Sequence, residues 1–188
     1  MKVYVIRHGE SQYNKEGLYT GWTNVPLTEK GEADARRAGA LLDGVSFDKI
    51  YSSDLKRAMN TAEIAIPNCV YETNEKFREI NVGNMAGRLI SESTDDEKSF
   101  YGNVGYKEKG GESRAEFAER VKSAMKDLEA LDYERIAIFC HGGWLRTSLD
   151  AVMGCFTSRD KIICRNCAMA VFEYNGSIWR LNSWINLD

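Results

Sequence analysis

Short apolar runs alternate along this chain with longer segments whose apolar residues recur every three or four positions. Val3-Tyr4-Val5-Ile6 is wholly β-branched or aromatic, the composition of a strand buried on both faces. Ile136-Ala137-Ile138-Phe139-Cys140 repeats that pattern. Residues 47–52 read as a third strand, and 70–72 as a short fourth. Between them the periodicity predicts helices. One spans 27–42, with Thr28 as N-cap and alanines at 33, 35, 38 and 40. A second spans 55–66 and is stopped by Pro67. A third, 113–131, opens on the capping box Ser113-Arg114-Ala115-Glu116 and carries Phe117, Val121, Ala124, Met125 and Leu128 on one face. A fourth covers 144–153. Near the end, 168–174 and 177–184 flank Asn175-Gly176, a hairpin signal. Strand–helix repetition predicts an α/β fold in three layers, α/β/α. The sheet is expected to be mostly parallel, with helices on both faces and an antiparallel edge near the C-terminus.

One segment breaks the alternation. From 84 to 111 the chain is polar, with glycines at 87, 102, 105, 110 and 111 and the acidic cluster Asp95-Asp96-Glu97. It reads as an irregular surface insertion or as a lid over a site, and Phe100, Tyr101 and Tyr106 are the residues a lid would press on a ligand. With no internal repeat or low-complexity tract, 1–188 is expected to be one domain with a lid-like insertion at about 84–111.

Composition narrows the function classes without choosing one. The chain has 188 residues, enough to bury roughly 70% of its unfolded surface. A net charge of -3 gives no general attraction for nucleic acid or an anionic membrane, so any phosphate-binding patch must be local. No apolar run approaches the ~20 residues of a membrane span. The first apolar run is also far too short for a signal-peptide core. Five cysteines, an odd number, without a secretory signal point to a reduced, cytoplasmic setting. Cys164-Arg165-Asn166-Cys167 has no second CxxC and no nearby histidine. It reads as buried structural cysteine more readily than as a redox or zinc motif.

The chemistry gathers at strand ends. The first strand stops at Arg7-His8-Gly9 and the Ile136 run at His141-Gly142-Gly143; these are the chain's two histidines. In open α/β sheets ligands bind at the carboxyl ends of strands. After the 47–52 strand comes Ser52-Ser53-Asp54-Leu55-Lys56-Arg57, which puts Arg57 in the first turn of a helix, where amide dipoles also favour an anion. Arg7, Arg57 and two imidazoles make a cationic pocket, and guanidinium forks suit phosphate. The same cations would repel a metal ion.

These residues carry a resemblance. Arg7-His8-Gly9-Glu10-Ser11, Tyr19-Thr20-Gly21-Trp22, Pro26-Leu27-Thr28, Gly31, Tyr51-Ser52-Ser53 with Arg57-Ala58 and Thr61-Ala62, Arg78-Glu79 and Cys140-His141-Gly142-Gly143 occur in order over nearly the whole chain. The set resembles the histidine phosphatase superfamily, which includes phosphoglycerate mutase. The resemblance implies a phosphoglycerate mutase-like fold and a phosphomonoester substrate. His8 would be the nucleophile that becomes phosphohistidine. Arg7, Arg57 and His141 would hold the phosphoryl oxygens, with His141 adding positive charge. Asn14 would add a neutral donor, although it reads equally as a turn residue, and backbone amides near Thr20, Gly21 and Gly142 would add more. Glu79 would be the general acid, with Glu10 and Glu72 as competing carboxylates. The resemblance implies no metal and no cofactor.

Glycolytic mutases of this group carry an insertion with paired arginines for the substrate carboxylate. Here 84–111 holds only Arg88, and Ile80-Asn81-Val82-Gly83-Asn84-Met85-Ala86-Gly87 looks more like the phosphatase form. The expected function is therefore a metal-independent phosphomonoester phosphatase. Compact length and Gly110-Gly111-Glu112-Ser113 resemble alpha-ribazole phosphatases, and broad sugar-phosphate phosphatases share both features. Mutase-type transfer and a catalytically silent phospho-ligand binding module are the alternatives. A low-pKa thiolate at Cys140, against a plain buried strand cysteine, is the remaining open reading.

Overall fold

The computed structural model describes residues 1–94, 103–155 and 161–187. Among the described residues six strands form one sheet in the order β3-β2-β4-β1-β5-β6. They are β1 (Lys2–Arg7), β2 (Lys49–Ser52), β3 (Glu72–Thr73), β4 (Arg135–Cys140), β5 (Met169–Tyr174) and β6 (Trp179–Ile185). β1, β4, β2 and β3 run parallel, while β5 pairs antiparallel with β1 and β6 antiparallel with β5. This is the mostly parallel sheet with an antiparallel edge that the hydrophobic pattern predicts.

The nearly unbroken apolar runs follow from helices on both faces. Val3, Val5, Ile136, Ile138 and Cys140 point into one core with Phe117, Val121, Met125, Leu128 and Trp144. These last come from α4 (Arg114–Glu129) and α5 (Gly142–Met153). The intervening Ile6, Ala137 and Phe139 join Leu42, Ile50, Ala62 and Ala65 in a second core, against α2 (Glu29–Ala40) and α3 (Lys56–Ala65). Alternation along a strand sends successive side chains to opposite faces, so a strand covered on both sides has no polar face to show.

Local signals set the helix starts. The Thr28 hydroxyl accepts from Gly31 N–H at 3.0 Å, and Ser113 with Glu116 forms the capping box. One helix is absent from the periodicity. α1 (Gln12–Glu16) has only 5 residues and buries none of them, so it has no apolar stripe to detect. It forms because Ser11 and Asn14 make a reciprocal capping box, and Gly17, at φ 69°, ends it.

Register aligns the functional strand ends. Arg7 lies beside Cys140 and Ser52 beside Phe139. The ladder then continues past the strands, with His8 N–H donating to Cys140 O and Ser53 N–H to Phe139 O, each at 2.9 Å. Three parallel strands thus deliver Arg7-His8, Ser53 and His141 to one edge of the sheet.

Candidate active site

His8 is 3% exposed. Its Nδ1 lies 2.6 Å from the Gly9 carbonyl oxygen, which can only accept, so Nδ1 carries the proton. Nε2 therefore keeps its lone pair, and it accepts from Arg57 Nε–H at 3.2 Å. The His141 ring stands 5.1 Å away, edge to face. His141 Nε2 contacts Ser53 Oγ at 2.9 Å, and that oxygen already accepts from Leu55 N–H. Among the described residues His141 Nε2 is the one acceptor given to the Ser53 hydroxyl hydrogen, an arrangement that puts the His141 ring proton on Nδ1. That Nδ1 and Arg7 Nε are the two buried side-chain nitrogens left without a protein partner among the described residues. Buried donors are normally satisfied, so these two orphans mark a place for an acceptor.

Arg57, 1% exposed, is anchored by Nη1 to Thr23 O at 2.9 Å and Nη2 to Gly21 O at 2.8 Å. Burial lowers its pKa to about 10, which leaves it charged at neutral pH. Gly21 sits at φ +49°, and a Cβ there would meet Val82 Cγ2 at 2.6 Å; the carbonyl that holds Arg57 therefore depends on glycine. Arg7 donates to the Cys164 carbonyl and lies across Gly142, where a Cβ would come 3.1 Å from Arg7 Nε.

Glu79 is held by both its backbone and its carboxylate. Its carbonyl accepts from Trp22 Nε1–H at 2.7 Å and Arg120 Nη2–H at 3.0 Å. Arg120 also grips Glu112 through two contacts of 2.8 and 2.7 Å, and Glu112 holds Asn81 N–H. The Glu79 carboxylate accepts from Ile80 N–H at 2.9 Å and Gly143 N–H at 3.0 Å. The competing carboxylates are engaged elsewhere: Glu10 accepts from Thr28 Oγ1 and Glu72 pairs with Lys49 on the sheet edge.

Gly143 is a site residue that sequence reasoning missed. A Cβ there would stand 2.0 Å from Glu79 Oε1. Gly143→Ala is therefore expected to expel the carboxylate and lower kcat by about 10²-fold or more, as for loss of an acid, while melting shifts by only a few degrees. A kcat within about twofold of wild type would remove Glu79 from the chemistry.

These groups surround a cleft of about 180 Å³. Arg7, His8, Asn14, Thr20, Gly21, Arg57, Glu79 and Gly142 all line it, so eight of the nine residues singled out from sequence converge. His141 is the exception: its ring, 5.1 Å from that of His8, is fully buried and is not part of the lining. Arg146 also lines the cleft, unanticipated, which sets three guanidiniums against one carboxylate. Leu18, Ile80, Val82 and Ile90 supply an apolar wall.

The 84–111 segment contributes through its first part. Tyr19 N–H donates to Arg88 O, Gly87 N–H to Tyr19 O and Ile90 N–H to Gly17 O, which ties the start of the segment to the rim of the cleft. Asp95, Asp96, Glu97, Phe100 and Tyr101 lie outside the described residues. Tyr106, expected to press on a ligand, instead packs against the larger core.

The expectation that His141 adds positive charge is corrected by its surroundings. Burial, then the positive charge of Arg57, holds both His8 and His141 well below the ordinary value of 6.5, so both rings are neutral at pH 7. The unfolded chain protonates as pH falls through 6.5, while the folded chain does not. This stability is thus fully present above 6.5 and declines on acidification, by up to about 1.4 kcal/mol per pH unit for each ring. The melting temperature is expected to fall from pH 7 to about 5. The slope should flatten in the His8→Gln/His141→Gln double variant, and in saturating phosphate, whose charge favours the imidazolium. An unchanged slope in both would contradict the assignment.

Cys140 is buried with its thiol pushed well up by desolvation, which disfavours the thiolate reading. Cys164 and Cys167 are buried free thiols with raised pKa values, Cys167 to about 12. Among the described residues no group of three or more His, Cys, Asp or Glu side chains is placed to hold a metal ion. No helix there is long and apolar enough to cross a membrane.

Two imidazoles at parallel strand ends, with arginines around them over a mixed sheet, give this α/β protein a cationic cleft suited to an anion. Comparison with known proteins agrees. The model of the histidine phosphatase superfamily (branch 1) matches residues 3–187. The "Probable phosphoglycerate mutase GpmB" of Salmonella choleraesuis is 31% identical over 194 residues, covering 98% of this chain and 90% of that protein. Bacillus stearothermophilus YhfR superposes with TM-score 0.89 at 28% identity over 96% of this chain and 95% of its own. An Escherichia coli structure named as a candidate alpha-ribazole-5'-P phosphatase gives TM-score 0.87 at 25% identity, over 99% and 96% of the two chains. The chain belongs to the histidine phosphatase superfamily, branch 1.

Proposed function

We propose that this protein is a metal-independent phosphomonoester phosphatase that works through a phosphohistidine at His8. The observation that carries this reading is the pairing of a neutral His8, Nε2 lone pair towards the cleft, with the two orphaned nitrogens of Arg7 and His141. A phosphate dianion supplies the acceptors those nitrogens lack. Its arrival draws the Arg57 donor from Nε2 to a phosphoryl oxygen, which frees the lone pair.

Nε2 attacks phosphorus as the ester P–O bond breaks, and Glu79 gives its proton to the departing alkoxide. The arginines and the His141 Nδ1–H hold the equatorial oxygens while charge shifts, the main protein contribution to phosphoryl transfer. Water then loses a proton to the Glu79 carboxylate and attacks phosphorus. The P–N bond breaks, releasing inorganic phosphate and neutral His8. The apolar wall receives the alcohol part of the substrate. Alpha-ribazole phosphate and sugar phosphates are the proposed substrates, the former supported by the structural likeness to the E. coli protein. The absence of Arg-Arg from 84–111 supports hydrolysis over transfer. Arg146 in the wall and the likeness to GpmB favour a second reading, mutase-type transfer, in which that cation meets a substrate carboxylate.

Phosphate release from a panel in EDTA, including alpha-ribazole 5'-phosphate, sugar phosphates and 3-phosphoglycerate, separates these. Release is expected from several esters without added metal. Conversion of 3-phosphoglycerate to its 2-isomer without release would establish the mutase reading. Phosphate bound but never turned over would make the chain a binding module.

A further inference from the structure

We propose that Asn166 is a positioning residue that turns the side-chain amide of Asn14 so that its NH₂ end faces the bound phosphate; this deepens the site reading above. Asn14 lines the cleft, but an amide can offer an anion either a donor or a repelling oxygen, and the lining alone does not say which. The surrounding hydrogen bonds decide, because both ends of the chain of contacts are fixed by backbone groups of one polarity.

At one end, Ser11 N–H lies 3.3 Å from Asn14 Oδ1. A backbone N–H only donates, so the Asn14 atom facing it is the oxygen. At the other, the His8 carbonyl lies 3.2 Å from Asn166 Nδ2. A carbonyl only accepts, so the Asn166 atom facing it is the nitrogen. That same nitrogen reaches Asn14 Oδ1 at 3.1 Å. Polarity thus runs from Asn166 NH₂ to Asn14 C=O, and the Asn14 NH₂ is left for the cleft. Ser11 alone holds the oxygen by one long bond, and Asn166 supplies the second lock.

The turn that carries Asn166 is itself fastened to the site. Cys164 O accepts from Arg7, and Cys167 N–H donates to His8 O at 3.2 Å. Cys167 holds φ 56°, a left-handed conformation that side chains seldom adopt without support. Cys-Arg-Asn-Cys is therefore better read as a brace behind the nucleophile than as a metal or redox motif.

The test is a double-mutant cycle on the affinity for inorganic phosphate, measured by calorimetry without turnover. Asn166→Ala is expected to weaken phosphate about tenfold in the wild-type background and less than about twofold in Asn14→Ala. Should the alanine variant unfold, the near-isosteric Asn166→Asp, which removes the donor, carries the same cycle. Its loss of affinity should be larger with Asn14 present than with Asn14→Ala. Wild-type affinity in the Asn166 variants, or equal losses in both backgrounds, overturns the inference and leaves the phosphatase reading standing. A wild-type protein that binds no phosphate overturns both.

Discussion

His8→Ala is expected to reduce turnover of every phosphomonoester by at least about 10⁴-fold, because it deletes the atom to which phosphorus bonds in the proposed mechanism. The effect should be chemical and not structural. The ring is neutral and its main anchor is its neighbour's carbonyl, so removal leaves no buried charge unpaired. Arg57 loses one contact but keeps Thr23 O and Gly21 O. The variant is therefore expected to fold, to keep circular dichroism like wild type, and to bind inorganic phosphate within about tenfold, as loss of one modest contact allows. Turnover above about a hundredth of wild type would remove His8 as nucleophile.

Glu79→Gln is expected to cost about 10²–10³-fold on alkyl esters and less than about tenfold on an aryl ester with a good leaving group. A glutamine offers one carbonyl oxygen to two N–H donors, Ile80 and Gly143, so one is left unsatisfied, at about 1–3 kcal/mol. That structural cost is common to both esters and cancels in their ratio. What remains is the proton, needed by an alkoxide and dispensable for a stable phenolate. Equal losses on the two esters would show that Glu79 only shapes the cleft.

How far the sequence reaches is visible in these same residues. The strands were legible because burial on both faces makes Val3–Ile6 and Ile136–Cys140 continuous apolar runs. The helices were legible through periodicity and caps. His8, His141 and Arg57 could be placed because parallel strands must end on the same side. α1 escaped, since five residues with no buried face leave no period to read. Gly143, Arg120, Arg146 and Asn166 escaped for another reason. Gly143 and Arg120 owe their places to Glu79, 64 and 41 residues away, and Asn166 to His8, 158 residues away. The charge of His141 was misjudged because its type and position are local facts, whereas burial among arginines is a tertiary one.

The central claim is a covalent phosphohistidine at His8. Mixing the protein with a radiolabelled phosphomonoester in EDTA, quenching in alkali, where the P–N bond survives, and mapping the label tests it directly. The expected result is alkali-stable, acid-labile phosphate on the peptide that contains His8, absent from His8→Ala and longer-lived in Glu79→Gln. Steady release of phosphate with no label on His8 at any quench time would contradict it.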